Sequence, residues 1–188
     1  MLNGNDIRKK LYHPNSLTLY RVAAIPGIVA LMLYPNRTCT FLAAILFSLA
    51  AITDYLDGYV ARRHGLVSTF GKIMDPLADK LLVSSAFIMM SSYGWIPAWI
   101  VCIIIGRELA VNGLRIIVVE NKADVSASRL GKYKTGFQIA AIIPLLIHYS
   151  YFEIDFHGIG LVFLWVALGL TVLSGADYFI RFRKLLFS

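Results

Sequence analysis

Acidic side chains are scarce in this 188-residue chain, and cysteines are scarcer: 11 residues are Asp or Glu and two are Cys. Cys39 and Cys102 lie far apart, form no CxxC and have no histidine pairing nearby, which argues against a thiol redox motif or a zinc ribbon. Both read as inert thiols in apolar surroundings. The four histidines, His13, His64, His148 and His157, are equally scattered, and none is expected to bind metal. Internal repeats, low-complexity segments and inter-domain linkers are also missing. The longest polar connection, Asn121 to Lys134, is short enough for a loop, so residues 1–188 read as one domain.

What the chain has is apolar sequence: 58% of it, against 15% charged. The apolar residues gather in runs long enough to cross ~30 Å of hydrocarbon as helix. Six such runs are expected, near 17–34, 39–62, 75–93, 95–119, 136–152 and 158–180. The first is read as retained rather than as a signal peptide, because Arg21 interrupts it and no small-x-small cleavage site precedes Pro35. The fold class implied is an all-α membrane protein with six transmembrane helices.

A net charge of +7 raises the question of nucleic acid, and the placement of the 18 basic residues answers it in favour of a membrane. With the N-terminus inside, all but Arg37 fall on or near the cytoplasmic side. The outer connections are short and carry Glu153 and Asp155. That asymmetry is the positive-inside rule for six spans with both termini cytoplasmic, in a cell (inner) membrane. Residues 1–14 place Ile7 and Leu11 beside Arg8, Lys9 and Lys10, a pattern shared by an interfacial helix and a frayed tail.

One segment breaks the apolar pattern. It reads Asp54-Tyr-Leu-Asp57-Gly58-Tyr-Val-Ala61-Arg62, then eight residues to Gly71, then Asp75 and Asp79. Each aspartate near the middle of a span costs about 2.5–3.5 kcal/mol on insertion scales, and a place close to the interface lowers that without removing it. Asp54 and Asp57 are three apart and Asp75 and Asp79 four apart, so each pair shares a helical face. Two such helices facing each other make a four-carboxylate box. Gly58, Ala61 and Gly71 leave room for a backbone or a bulky ligand. Pro76 is tolerated if it lies in a helix's first turn and otherwise kinks the helix beside the cluster. Arg62, Lys72 and Lys80 are nearby cations, but divalent ions balance the charge better. Hard oxygen ligands suit Mg²⁺ or Mn²⁺, and four carboxylates can share two ions that clamp a diphosphate. Solvated loop carboxylates are the bland alternative. A cation transporter is an alternative of another class, but matching halves and repeats are missing.

At these residues the chain resembles the CDP-alcohol phosphatidyltransferase family, whose signature D-x2-DG-x2-AR-x8-G-x3-D-x3-D it matches at every position. The resemblance implies six transmembrane helices, a homodimer, and attack of an acceptor hydroxyl on the lipid-linked phosphorus of CDP-diacylglycerol with CMP leaving. By the same resemblance Asp54, Asp57, Asp75 and Asp79 are metal ligands and Asp79 is also the general base. Asp57, Gly58, Arg62, Gly71 and, more weakly, Ser68 would hold the CDP part. The alternative for Arg62 is a topology anchor beside Arg63.

A second polar set bears on the acceptor: Arg107, Glu108 and Arg115, then Ser128, Lys132, Lys134 and Thr135. Arg107 and Arg115, eight apart, share a helical face and with Lys132 and Lys134 would form a cationic pocket for a phosphate-bearing acceptor. An intramembrane Arg107–Glu108 ion pair, and ordinary loop charges at Lys132 and Lys134, are the alternatives. Gly106-Arg107-Glu108, Gly131-Lys132-x-Lys134-Thr135-x2-Gln138 and Asn15-x2-Thr18-x2-Arg21 resemble the branch of the family that uses glycerol 3-phosphate. The cardiolipin-forming branch, with phosphatidylglycerol as acceptor, is similar here and is the runner-up.

Overall fold

The computed structural model describes residues 14–64, 69–120, 129–151 and 153–186. They form six α-helices: α1 (Pro14–Met32), α2 (Arg37–His64), α3 (Thr69–Ser92), α4 (Ala98–Glu120), α5 (Arg129–Ile147) and α6 (Phe156–Leu186). An isolated bridge between Tyr151 and Ile154 is the only β pairing among them. Each expected apolar run coincides with a helix. By length and composition, one stretch among the described residues is sufficient to cross a membrane, Phe156–Arg183 of α6. Its side chains Val162, Trp165, Leu173 and Ile180 are each more than half exposed, an apolar surface that water does not favour. Shorter apolar stretches cover Tyr20–Met32, Arg37–Thr53 and Tyr133–Ile147.

The chain divides into two compact units, Met1–Ala86 and Phe87–Ser188, with the boundary inside α3. In the first, α1 packs against α2. Arg21, Ala24, Ile28 and Met32 repeat at three- and four-residue spacing and are all buried, so they form one inward face of α1. The facing part of α2 is mostly small, with Ala43, Ala44 and Ala50 buried around Phe47. Small residues let the backbones approach. A Cβ on Gly27 would stand 3.0 Å from Leu46 Cδ2, so the approach uses the missing side chain. Asn36 starts α2: its Oδ1 accepts from the backbone N–H groups of Thr38 (3.1 Å) and Cys39 (2.9 Å), satisfying donors that a helix start leaves open.

Pro76 lies inside α3, eighth from its start, and not in a first turn. The helix begins at Thr69, ahead of the apolar run expected from 75, because the polar segment Gly71–Asp75 is helical too. Without an N–H, Pro76 leaves the Lys72 carbonyl without its usual helical donor, one turn ahead of Pro76 within the aspartate motif.

In the second unit the end of α3 turns through Gly94, at φ 70°. Gly94 donates to the Ser91 carbonyl (2.9 Å) and Trp95 to that of Met90 (3.1 Å), the paired bonds of a Schellman cap. There α5 and α4 both pack against α6. Gly160 on α6 sits so close to α5 that a Cβ would meet Leu145 Cγ at 2.5 Å and the Leu145 backbone nitrogen at 2.9 Å. Ile142, Leu145, Leu146, Leu164 and Ala167 are buried without remainder in this unit.

Candidate active site

The aspartate motif spans the end of α2 and the start of α3. Asp54, Asp57, Gly58, Ala61 and Arg62 are on α2, whereas Gly71, Asp75 and Asp79 are on α3. Both aspartate pairs therefore sit on continuous helix, where intervals of three and four residues bring side chains to one face. The side chains of Asp54, Asp57, Arg62 and Asp75 lie outside the described residues, as do Ser68 and the side chains of Asn15, Thr18 and Lys132. Asp79 is described and half-buried, one residue after buried Ala78. Carboxylates are hard oxygen donors, which suit a small divalent cation better than a softer one.

Of the second polar set, Ser128 lies outside the described residues, and Arg107, Glu108 and Lys134 meet within the unit of α4, α5 and α6. Glu108 on α4 accepts from Lys134 Nζ of α5 through Oε1 and lies 3.3 Å from Arg107 Nη1 through the same oxygen. Arg107 Nη2 donates to Ser174 Oγ of α6 at 2.9 Å. The arginine stem passes next to Gly175, where a Cβ would stand 3.0 Å from Arg107 Cγ. One carboxylate thus serves two cations, and the three side chains carry a net charge of +1.

Burial makes the pairing consequential. Lys134 is 3% exposed, a position that an ammonium tolerates only when paired, since stripping water from an ion costs several kcal/mol. Around the network are polar atoms with nothing to bond: Arg107 Nε, Gln138 Nε2 and Tyr178 Oη are buried and have no hydrogen-bond partner. Gln138 lies one turn beyond Lys134 on α5, and Tyr178 one turn beyond Ser174 on α6, so each continues the face of a network member. Tyr178 packs with Val111 and Leu114 of α4, and Val111 is one turn beyond Arg107. Buried unsatisfied donors in a folded protein call for an explanation, and an anionic or hydroxylated ligand supplies one.

Of the cationic residues expected to gather, Arg107 and Lys134 meet through Glu108, which is both the ion pair considered for Arg107 and a bridge to Lys134. Arg115 is exposed two turns further along α4. Ser174, Gly175 and Tyr178 were not expected from the sequence. A Ser-Gly step inside an apolar span was the available signal, because it marks a place where a large side chain from another helix can enter.

The chain belongs to the CDP-alcohol phosphatidyltransferase family, whose model matches residues 11–173. Among proteins of known name it is similar to the CDP-diacylglycerol-glycerol-3-phosphate 3-phosphatidyltransferase of Bacillus subtilis, with 45% identity over 178 residues covering 88% of this chain and 92% of the relative. The protein of the same name from Rickettsia bellii is 39% identical over 91% of this chain and 95% of its own length. A Mycobacterium tuberculosis protein described as a probable phosphatidylglycerophosphate synthase is 36% identical over 89% of this chain and 79% of its own.

Proposed function

We propose that this protein transfers the phosphatidyl group of CDP-diacylglycerol to glycerol 3-phosphate, giving phosphatidylglycerol phosphate and CMP. The names of its high-coverage relatives support that reading, and the observation that carries the acceptor is the network of Arg107, Glu108 and Lys134. A site with two cations, one buried, around a single carboxylate, and with buried donors that have no hydrogen-bond partner, suits a small phosphate ester that also bears hydroxyls. The phosphate would take the charge, and Arg107 Nε, Gln138 Nε2 and Tyr178 Oη are donors for its remaining oxygens. Arg115 and Lys132 complete the expected set of residues for the acceptor phosphate.

In the proposed reaction the acceptor hydroxyl oxygen forms a bond to the lipid-linked phosphorus as the bond from that phosphorus to the CMP oxygen breaks. Asp79 takes the hydroxyl proton. An aspartate is a weak base for an alcohol at neutral pH, so proton removal must coincide with bond formation. Asp54, Asp57, Asp75 and Asp79 would hold Mg²⁺ or Mn²⁺, two ions in the fullest arrangement. Such ions supply Lewis acidity and neutralise charge on the diphosphate. Asp57, Gly58, Arg62, Ser68 and Gly71 would hold the CDP part, with Arg62 offsetting charge on the departing CMP.

The same reading gives six spans with both termini cytoplasmic, the active site at the cytoplasmic face of a cell membrane, and a homodimer. The charge asymmetry of the loops supports the orientation, and the apolar exposed face of α6 supports contact with lipid. Membership of a transferase family favours group transfer over cation transport. The test is acceptor competition: purified protein with CDP-diacylglycerol is offered glycerol 3-phosphate, phosphatidylglycerol and serine, and the lipid formed is identified. Phosphatidylglycerol phosphate is expected. Turnover with phosphatidylglycerol alone would instead assign the chain to the cardiolipin-forming reaction.

A further inference from the structure

The connection between α5 and α6 brings together two histidines that the sequence keeps nine residues apart and that the proposed reaction does not use. His148 Nδ1 and His157 Nδ1 lie 3.2 Å from each other. We propose that this pair is a chelating site for a borderline transition-metal dication such as Zn²⁺ or Cu²⁺.

The geometry carries the inference. An ion held at about 2.05 Å from each of two nitrogens that are 3.2 Å apart subtends an angle of about 103° between them, near the tetrahedral value. Ring placement provides a second check. A straight N–H···N bond would hold the ring centres about 5.5 Å apart, whereas two imidazoles converging on one ion would hold them about 5.0 Å apart. The observed separation is 4.8 Å, with the rings at 77°, so the pair is bent in the way that a shared ion requires.

The site is also built in advance. His148 occupies the left-handed region at φ 58°, a conformation in which a non-glycine residue is uncommon and stores strain. Its ring is stacked on Trp95, at 3.8 Å between centres and 9° between planes, and Tyr149 stands edge-on at 5.4 Å. Trp95 is itself held by the cap that ends α3. His157 is in the first turn of α6, behind Asp155, whose Oδ1 accepts the Gly158 N–H at 3.0 Å.

Among the described residues no group of three or more His, Cys, Asp or Glu is arranged to hold a metal ion, so this is a two-nitrogen chelate whose other positions water would fill. Such a site favours cations high in the Irving–Williams order and has little affinity for Mg²⁺. Proton balance is simple. Without an ion one Nδ1–H donates to the other Nδ1, and on binding that proton moves to Nε2 of the same ring, leaving two Nδ1 lone pairs for the cation.

Full-length protein in detergent micelles, with Mg²⁺ in excess, is titrated with Cu²⁺ and followed by electron paramagnetic resonance, with Zn²⁺ as competitor. The expected result is one Cu²⁺ per chain coupled to two imidazole nitrogens and displaced by Zn²⁺. His157→Asn should weaken binding by about tenfold or more and leave one nitrogen, while phosphatidyl transfer continues at the wild-type rate. Wild-type protein showing one nitrogen or none overturns the proposal, and that spectrum decides even if a variant does not fold. Binding that survives His148→Asn/His157→Asn and is lost on replacing His13 or His64 overturns it as well.

Discussion

Loss of the Glu108 carboxylate should destabilise the second unit strongly. Its Oε1 meets both Lys134, which is 3% exposed, and Arg107. Replacing Glu108 with Gln keeps the shape and removes the charge, so the three-residue cluster goes from +1 to +2 in a site shielded from water. Removing one partner of a buried ion pair typically costs about 3–5 kcal/mol, because the other charge stays buried and unpaired. For a chain of this length that corresponds to a fall in thermal midpoint of roughly 6–20 °C. The assay is thermal unfolding in one detergent of wild type, Glu108→Gln, Lys134→Met and the double variant. Methionine retains much of the lysine stem and carries no charge, so Glu108→Gln/Lys134→Met should recover most of the loss. A coupling of about 3 kcal/mol is expected from the cycle. Glu108→Gln as stable as wild type, or a double variant that merely adds the two losses, would refute the view that Lys134 is buried on the strength of this carboxylate.

Other substitutions probe separate steps. Lys134→Ala should raise the glycerol 3-phosphate concentration needed for half-maximal rate by about tenfold or more with a smaller change in kcat, since a charge-assisted contact to phosphate is worth about 1.5–3 kcal/mol; an unchanged requirement removes Lys134 from the acceptor site. Asp79→Asn should abolish CMP release while the thermal midpoint stays near wild type, and wild-type turnover would deny Asp79 the role of base. Gly160→Ala forces a Cβ against the Leu145 backbone at 2.9 Å and should destabilise the α5–α6 packing by about 1–3 kcal/mol. Asn36→Ala removes both side-chain bonds at the start of α2 and should cost about 1 kcal/mol, readable in the same melts.

Much of the helical layout was legible because an apolar run of fixed length is a strong signal. The runs expected from residues 39 and 95 begin within a few residues of α2 at Arg37 and α4 at Ala98. The misses lie where helix outlasts apolarity. α3 starts at Thr69 and α5 at Arg129, before the runs expected from 75 and 136, and α6 continues to Leu186 through Arg181 and Arg183. Polar helix ends keep their backbone hydrogen bonds without contributing to an apolar count, so composition alone sets such boundaries too tightly. The aspartate spacing was legible for the complementary reason: intervals of three and four residues are local. Ser174 was not, because its bond to Arg107 joins residues 67 positions apart. The histidine pair escaped for a related cause, since His148 and His157 meet only after the chain reverses through residues 148–155, with Glu153 as well as His148 at positive φ.

If the aspartates of α2 and α3 hold the cations needed for phosphatidyl transfer, CMP release from CDP-diacylglycerol and glycerol 3-phosphate will follow chelation and readdition of metal. Turnover should stop when divalent ions are removed, return with Mg²⁺ or Mn²⁺, and fail to return in Asp75→Asn. Full-rate transfer in thoroughly chelated protein, or in that variant, would contradict that role for the aspartates.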